Sequence, residues 1–125
     1  MSDIRLLIER YVNCYNRMDV NAMLDCVSDD VLFENISNTG QSMSFQGKDA
    51  MREVAMLGLQ AFSYRQQRIV SLICAESSAA AEVEFTGTAA LDLPMGAKAG
   101  EVVKLRGVSI FEMRNDVLLR VADYS

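Results

Sequence analysis

The chain has 125 residues, of which half are hydrophobic and 23% are charged, and its formal net charge is −5. This length predicts one domain, residues 1–125, with a single sizeable core. The acidic balance argues against nucleic acid and anionic membrane surfaces as partners, and no apolar run approaches the roughly 20 residues of a membrane span.

The N-terminal part of the chain predicts two helices and a short strand. Residues 2–17 carry apolar side chains at helical spacing, with Ser2 or Asp3 available as the cap. Asp19 can cap a second, short helix with its own inward-facing apolar residues. Residues 31–36 then alternate in the manner of a strand.

The middle of the chain changes from loop to helix. Residues 37–46 are polar and contain the turn signal Asn-Thr-Gly, which predicts a loop. Residues 48–62 again show helical spacing, with Met51 and Val54 on the side that faces inward. We therefore expect three helices in total, all of them before the long strands begin.

The second half of the chain predicts four strands. Residues 64–75, 79–92 and 101–114 are long, and the last two alternate clearly between apolar and polar side chains. A final strand follows the dipeptide Asn115–Asp116, which tolerates the left-handed conformations of a tight hairpin turn. Helices followed by a run of mostly antiparallel strands indicate an α+β fold.

The last strand carries the feature on which the functional interpretation depends. Because successive side chains point to opposite faces, Val117, Leu119, Val121 and Asp123 share one face. An apolar row thus ends in a carboxylate, and an unpaired buried charge is costly. Asp123 therefore either reaches solvent at the end of the strand or occupies a polar spot inside a cavity.

Two glycines suggest that such a cavity exists. Gly87 and Gly107 both fall on apolar faces of predicted strands, where a missing side chain permits strong curvature or leaves space. A strongly curved sheet whose concave side is closed by helices forms a cup. A cup of this kind can hold a small molecule.

The residue inventory limits the chemistry that such a cup can perform. The sequence has no histidine, which excludes Ser–His and Cys–His nucleophile pairs and leaves proton transfer to carboxylates, tyrosine or lysine. Cys14, Cys26 and Cys74 match no metal-binding spacing, so we expect structural thiols. The N-terminus lacks the pattern of a signal peptide, and we expect a cytoplasmic protein.

Several segments resemble the nuclear transport factor 2-like superfamily, in particular its SnoaL-like and ketosteroid-isomerase-like branch. They are residues 10–12 and 16–35, the motif Gly-Lys-Asp-Ala-Met-Arg at 47–52, and residues 106–124. The resemblance implies a cone-shaped barrel, in which a strongly curved, mixed but mostly antiparallel sheet and three N-terminal helices enclose an apolar pocket. It also implies a homodimer that forms through the outer face of the sheet.

The resemblance implies roles for four polar residues. Tyr11 matches the ketosteroid isomerase tyrosine that donates a hydrogen bond to the substrate carbonyl, and Ser109 falls near the aspartate of that enzyme's oxyanion hole. Asn35 stands where the isomerase has its proton-abstracting aspartate, and an amide cannot act as that base. Asp123 resembles the last-strand carboxylate of SnoaL-like polyketide cyclases.

Two functions of different classes remain open. In the first, Asp123 is the acid and base, while Tyr11 and either Asn35 or Ser109 stabilise a forming enolate. The reaction would be an isomerisation, cyclisation or dehydration of a small, largely apolar carbonyl compound, without cofactor or metal. In the second, the pocket only binds a small molecule or the domain serves as a dimeric assembly module. The expected ligand contacts are Tyr15, Phe33, Met51, Val54, Phe85, Ser109, Phe111 and Val121.

The outer face of the sheet supports the expected dimer. By alternation, Val108, Ile110, Leu118 and Tyr124 point away from the helices. Charged residues surround this apolar patch, which is a composition typical of interfaces. The charged residues are Lys104, Arg106, Glu112 and Arg120.

Overall fold

The computed structural model describes residues 3–125 as two helices, two strands, a third helix and four further strands. The elements are α1 (Ile4–Asn16), α2 (Val20–Leu24), β1 (Val27–Ile36), β2 (Met43–Gln46), α3 (Lys48–Ala61), β3 (Phe62–Cys74), β4 (Ser78–Ala89), β5 (Val102–Arg114) and β6 (Val117–Tyr124). Ser2, one of the two predicted caps of the first helix, lies outside the described residues. Within them, no helix has the length and hydrophobicity that crossing a membrane requires.

Side-chain caps start the first two helices as the sequence predicts. The Asp3 carboxylate accepts a hydrogen bond from the backbone N–H of Arg5 at 2.8 Å. Asp19 does the same for the N–H of Ala22 at 3.1 Å. Each carboxylate satisfies a backbone donor that the first turn of a helix leaves without a partner.

The six strands form one mixed sheet in the order β2-β1-β6-β5-β4-β3. Strand β1 runs parallel to β6, and every other neighbouring pair is antiparallel. The α+β class and the mixed, mostly antiparallel sheet are therefore confirmed. The sheet is open between its edge strands β2 and β3 and does not close into a barrel, and α3 follows β1 and β2, so the helices are not all N-terminal.

The helices pack against the sheet and against each other. α1 contacts β3 and β4, α3 contacts the first three strands, and α2 lies between α1 and α3. Their apolar residues form one core with inward-facing side chains of the sheet, including Ala81, Phe111 and Val121. Burial of this apolar surface is the main contribution to stability.

The predicted loop at 37–46 contains a strand. Residues Met43–Gln46 pair antiparallel with β1, in the register that sets Phe45 beside Phe33. The two rings stack at 6.2 Å between centroids. Four alternating residues give too little periodicity to predict a strand, and β2 exists because β1 offers a partner for its backbone hydrogen bonds.

A bulge in β6 changes which residues face the core. Glu112 pairs with Arg120 but Met113 pairs with Leu118, so the register shifts by one residue at Leu119. A bulge of this kind reverses the alternation of side chains on its N-terminal side. Leu118 is consequently fully buried in the core, and its predicted place on the outer patch is wrong.

The two glycines permit close approaches between neighbouring groups. A side chain at Gly107 would overlap the backbone carbonyl oxygen of Tyr124, so glycine permits the end of β6 to pass close to β5. A Cβ at Gly87 would lie within 3.0 Å of the Phe62 and Phe85 rings, which pack edge to face beside it. Both positions are filled by neighbouring groups.

Candidate functional site

A cavity of about 180 Å³ lies between the helices and the inner face of the sheet. The three predicted catalytic residues, Tyr11, Asn35 and Asp123, all line it. Most of the expected ligand contacts line it as well, namely Tyr15, Phe33, Met51, Val54, Ser109 and Phe111. The fold therefore brings together side chains from α1, α3, β1, β5 and β6 that are far apart in the sequence.

Asp123 lies on the cavity and is held by its strand neighbours. Ser109 is its cross-strand partner on β5, and the Ser109 hydroxyl donates a hydrogen bond to Asp123 Oδ1 at 2.6 Å. Asn35 is its partner on the other side, in β1. Burial raises the pKa of the Asp123 carboxyl, and the Ser109 hydrogen bond lowers it by a smaller amount. Of the two alternatives left open for Asp123, the structure supports the one inside a cavity.

Tyr11 faces the same cavity from α1. Its side chain is buried and meets the Phe111 ring edge to face, at 6.1 Å between centroids. Burial raises the pKa of the Tyr11 hydroxyl well above its ordinary value, and the negative charge of Asp123 raises it further. The hydroxyl therefore stays protonated at neutral pH and can donate a hydrogen bond.

Two of the expected ligand contacts lie elsewhere. Phe85 lines a second cavity, of about 370 Å³, which shares Asn35, Ser109 and Asp123 with the first. Val121 is buried in the core and lines neither of these cavities, so the structure does not bring it to the site. Gln67 also lines both cavities, and we refer to the first as the inner cavity and to the second as the outer cavity.

Two polar residues of the site, Arg65 and Gln67 on β3, escaped the sequence analysis. Both line the inner cavity. The register of β3 shifts between Phe62 and Tyr64, and Phe62 and Arg65, three positions apart, both line cavities of the protein. Simple alternation along β3 cannot predict this, because the shift depends on pairing with β4.

The Arg65 side chain is 5% exposed and packs on Tyr15. Its guanidinium carbon lies 3.8 Å from the centroid of the Tyr15 ring, and Nη2 donates a hydrogen bond to the Tyr15 carbonyl at 3.3 Å. Its buried Nε has no hydrogen-bond partner in the part of the chain that the structure describes. The cavity thus has a buried cation in its wall, on an aromatic ring.

Two hydrogen bonds of the Asn16 side-chain amide hold α1 against β3 beside this arginine. Asn16 Nδ2 donates to the Gln67 carbonyl at 3.0 Å, and the Gln67 backbone N–H donates to Asn16 Oδ1 at 2.7 Å. The pair completes the hydrogen bonds of a backbone segment next to the cavity. It therefore fixes the strand that carries Arg65 relative to the helix that carries Tyr11 and Tyr15.

Metal-ligating and thiol side chains are not assembled at the cavity. Within residues 3–125, no three histidine, cysteine, aspartate or glutamate side chains cluster closely enough to hold a metal ion. The three cysteines are unbonded thiols, and Cys14 and Cys26 are buried. Their burial agrees with the predicted structural role for these two residues.

The fold and the site together define the class of protein. A mixed sheet covered by helices, with polar side chains inside an apolar cavity, is the arrangement of nuclear transport factor 2-like and ketosteroid-isomerase-like proteins. Within that class, the family model of the SnoaL-like domain matches residues 8–121, and the chain belongs to this family. A comparison with curated proteins gave no significant match.

Solved structures extend the similarity over almost the whole chain. A candidate polyketide cyclase of Xanthomonas campestris pv. campestris is 22% identical, with a TM-score of 0.79 over 97% of this chain and 88% of its own. AclR, a candidate hydroxylase of Streptomyces galilaeus, is 19% identical, with a TM-score of 0.76 over 95% and 85%. A protein of Catenulispora acidiphila with a ketosteroid isomerase-like fold, solved with trimethylamine, is 10% identical, with a TM-score of 0.78 over 95% and 84%. At these identities the likeness establishes the fold and leaves the reaction open.

Proposed function

We propose that the chain binds a small, largely apolar carbonyl compound in the inner cavity and catalyses proton transfer next to the carbonyl. One observation carries this proposal: a partly buried carboxylate with a raised pKa, Asp123, shares a cavity with a protonated tyrosine, Tyr11. A base and a hydrogen-bond donor in one apolar chamber are the two groups that enolisation needs.

The proposed reaction begins when the Asp123 carboxylate takes a proton from the carbon beside the carbonyl. The electron pair of that C–H bond forms a C=C bond, and the electrons of the C=O bond move to oxygen, giving an enolate. Tyr11 donates a hydrogen bond to this oxygen, and the Asn35 amide can supply a second donor. In an isomerisation, where the enolate is conjugated with a C=C bond, Asp123 then returns its proton to the far carbon of the conjugated system. In a cyclisation, the enolate carbon attacks a second carbonyl of the same molecule, whose C=O electrons move to oxygen, and the resulting alkoxide takes the proton from Asp123.

The family and the similar structures support this class of reaction. The SnoaL-like domain matches nearly the whole chain, and one similar structure belongs to a candidate polyketide cyclase. Burial also raises the pKa of Asp123 towards neutral pH. General acid–base catalysis is most efficient when the pKa of the catalytic group lies near the operating pH.

Exchange of α-protons with solvent tests the role of Tyr11 without knowledge of the natural substrate. In D₂O the protein is expected to accelerate deuteration of β-tetralone beside its carbonyl, measured by NMR. The Tyr11→Phe variant is expected to lose about 10²–10³-fold of this rate, because it removes a donor to the enolate oxygen.

The matched control for this experiment is Tyr64→Phe. Tyr64 is exposed, and its hydroxyl bonds only Gln66 on the outer side of β3. Its variant should exchange β-tetralone at the rate of the unmodified protein. Equal rates for the Tyr11 and Tyr64 variants would contradict the role of Tyr11.

A second candidate is a binding module without catalysis. Asn35 favours it, because this residue is an amide at the position where the resemblance to ketosteroid isomerase implies the base. In this case β-tetralone would bind in the cavity and its α-protons would exchange no faster than in buffer. The exchange experiment therefore separates the two candidates.

We also propose that the chain forms a homodimer through the outer face of the sheet. Val108 is 42% exposed there and Tyr124 37%, while Leu118 no longer contributes. Charges on this face already pair within the chain: Arg106 with Glu82 at 2.9 Å, and Arg120 with Glu34 and Glu112. Because these charges are already paired, burying the outer face against a second copy of the chain costs less free energy, and the exposed apolar residues of the face favour that burial.

A cytoplasmic location stays a prediction of the sequence.

Light scattering after size-exclusion chromatography tests the dimer. At micromolar concentration we expect twice the mass of the 13.9 kDa chain, and the Val108→Glu variant should shift the mass towards the monomer. Leu57→Glu is the control, because Leu57 is 65% exposed on α3, away from this face. A monomeric mass for the unmodified protein would contradict the proposal.

A further inference from the structure

The wall of the inner cavity contains a positive charge that the protein does not neutralise. Arg65 is 5% exposed, and its side chain is a cation. None of the ion pairs within residues 3–125 includes Arg65. The group rests on the Tyr15 ring and donates to one carbonyl, while Nε has no partner.

Among residues 3–125, the only carboxylate that lines the cavity does not serve as its counter-ion. Asp123 takes its hydrogen bond from Ser109 on β5, and no ion pair joins it to Arg65. A buried cation without an anion loses most of its hydration and receives little in return. The contact with an aromatic ring offsets only part of this loss.

From this charge, which no ion pair neutralises, and from its place in the cavity wall, we infer that Arg65 binds a carboxylate of the ligand. The inference rests on the proposed function and specifies the substrate class: a small, apolar carbonyl compound that also carries a carboxylate. Guanidinium and carboxylate match in charge and planar geometry, and their hydrogen bonds are stronger than those between neutral groups.

The surroundings of Arg65 also define the shape of the ligand. Tyr15, Phe33 and Phe111 provide aromatic or apolar surface, and Gly58 on α3 lies beside the guanidinium, where a Cβ would come within 3.1 Å of Nη1. Glycine at this position therefore permits the close approach of the guanidinium to α3. Such a ligand would place its carboxylate at Arg65 and its apolar part against the aromatic side chains. It would thus complement both the charged and the apolar surface of the cavity.

Benzoate and benzamide test the inference, since they have the same shape and differ in charge. We expect the protein to bind benzoate at least about tenfold more tightly than benzamide, measured by isothermal titration calorimetry. In Arg65→Gln this preference should disappear, through loss of benzoate affinity and not through gain of benzamide affinity. Arg68→Gln is the control, because Arg68 lies on the same strand and pairs with Glu84 on the outer face.

Arg65 also anchors β3 to α1 through Tyr15, so circular dichroism must show that each variant is folded. Arg65→Lys provides a second variant: it keeps the charge but loses the planar fork, and the preference for benzoate should shrink without vanishing. A purely structural role would lower both affinities equally and leave their ratio unchanged.

The outcomes separate this inference from the proposed function. Equal affinity of the unmodified protein for benzoate and benzamide would overturn the role of Arg65 and leave the binding cavity in place. Unchanged benzoate preference in Arg65→Gln would overturn it as well. Failure of β-tetralone, benzoate and benzamide all to bind would contradict the proposed function and the inference together.

Discussion

Asp123→Asn is expected to lower the rate of α-proton exchange in β-tetralone by about 10²–10⁴-fold, because an amide cannot accept the proton at neutral pH. The substitution preserves shape, and its side-chain oxygen can still accept the hydrogen bond from Ser109. A loss of rate would therefore report the chemistry of the carboxylate. An Asp123→Asn variant with the rate of the unmodified protein would remove Asp123 from the mechanism.

The same variant has an expected effect on stability that serves as its control. Burial raises the pKa of Asp123 above the ordinary aspartate value of 3.8, so the folded protein binds this proton more tightly than the unfolded chain. The stabilising contribution is complete below pH 3.8 and is lost as the pH rises through the raised value. At neutral pH the ionised carboxylate destabilises the fold, and Asp123→Asn should raise the free energy of unfolding there.

The pH dependence of exchange follows from the same shift. A general base acts in its ionised form, so the rate should rise with pH through the raised pKa of Asp123 and then level off. Urea titrations and exchange rates at several pH values measure both effects. An Asp123→Asn variant that is inactive but more stable at neutral pH would show that the ionised Asp123 carboxylate lowers the free energy of unfolding and is needed for the reaction.

Leu118→Ala is expected to lower the free energy of unfolding by about 2–5 kcal/mol, the usual cost of emptying a fully buried leucine position. Leu118 has no exposed surface and belongs to the core that joins the helices to the sheet. Urea denaturation monitored by circular dichroism gives the value directly.

The matched control is the neighbouring Leu119→Ala. Leu119 lies at the bulge of β6 and is only half-buried, so its truncation should cost clearly less. Simple alternation along β6 predicts the reverse, with Leu119 inside and Leu118 outside. A larger loss for Leu119 than for Leu118 would contradict the bulge.

Local sequence patterns predict helix starts and turns well where the stabilising hydrogen bonds form between residues close in the chain. The caps at Asp3 and Asp19 depend on neighbouring residues only, and both form. The hairpin turn likewise forms at Asn115 and Asp116, whose φ angles are 54° and 69°. The β2 strand was missed because its hydrogen bonds come from β1, which lies seven or more residues earlier in the chain.

The residues of the candidate site likewise divide into those that the sequence predicts and those that only strand pairing decides. Alternation along the second half of β6 predicts that Asp123 faces inward, and the resemblance points to Tyr11 and Asn35; all three line the cavity. Arg65 could not be found in this way, because the register shift at the start of β3 decides which of its side chains enter the cavity. Alternation also does not show which inward-facing side chains reach the cavity, and Val121 packs in the core without lining it.

The sequence by itself determined the α+β class, the boundaries of most helices and strands, the family resemblance and the carboxylate at the end of an apolar row. These properties depend on contacts between residues close in the chain, or on side-chain order along one strand. Only the tertiary structure decided that the sheet stays open, that Leu118 enters the core and that Arg65 faces the cavity. Each of these depends on pairing between distant strands, where a shift of one residue turns a side chain to the opposite face.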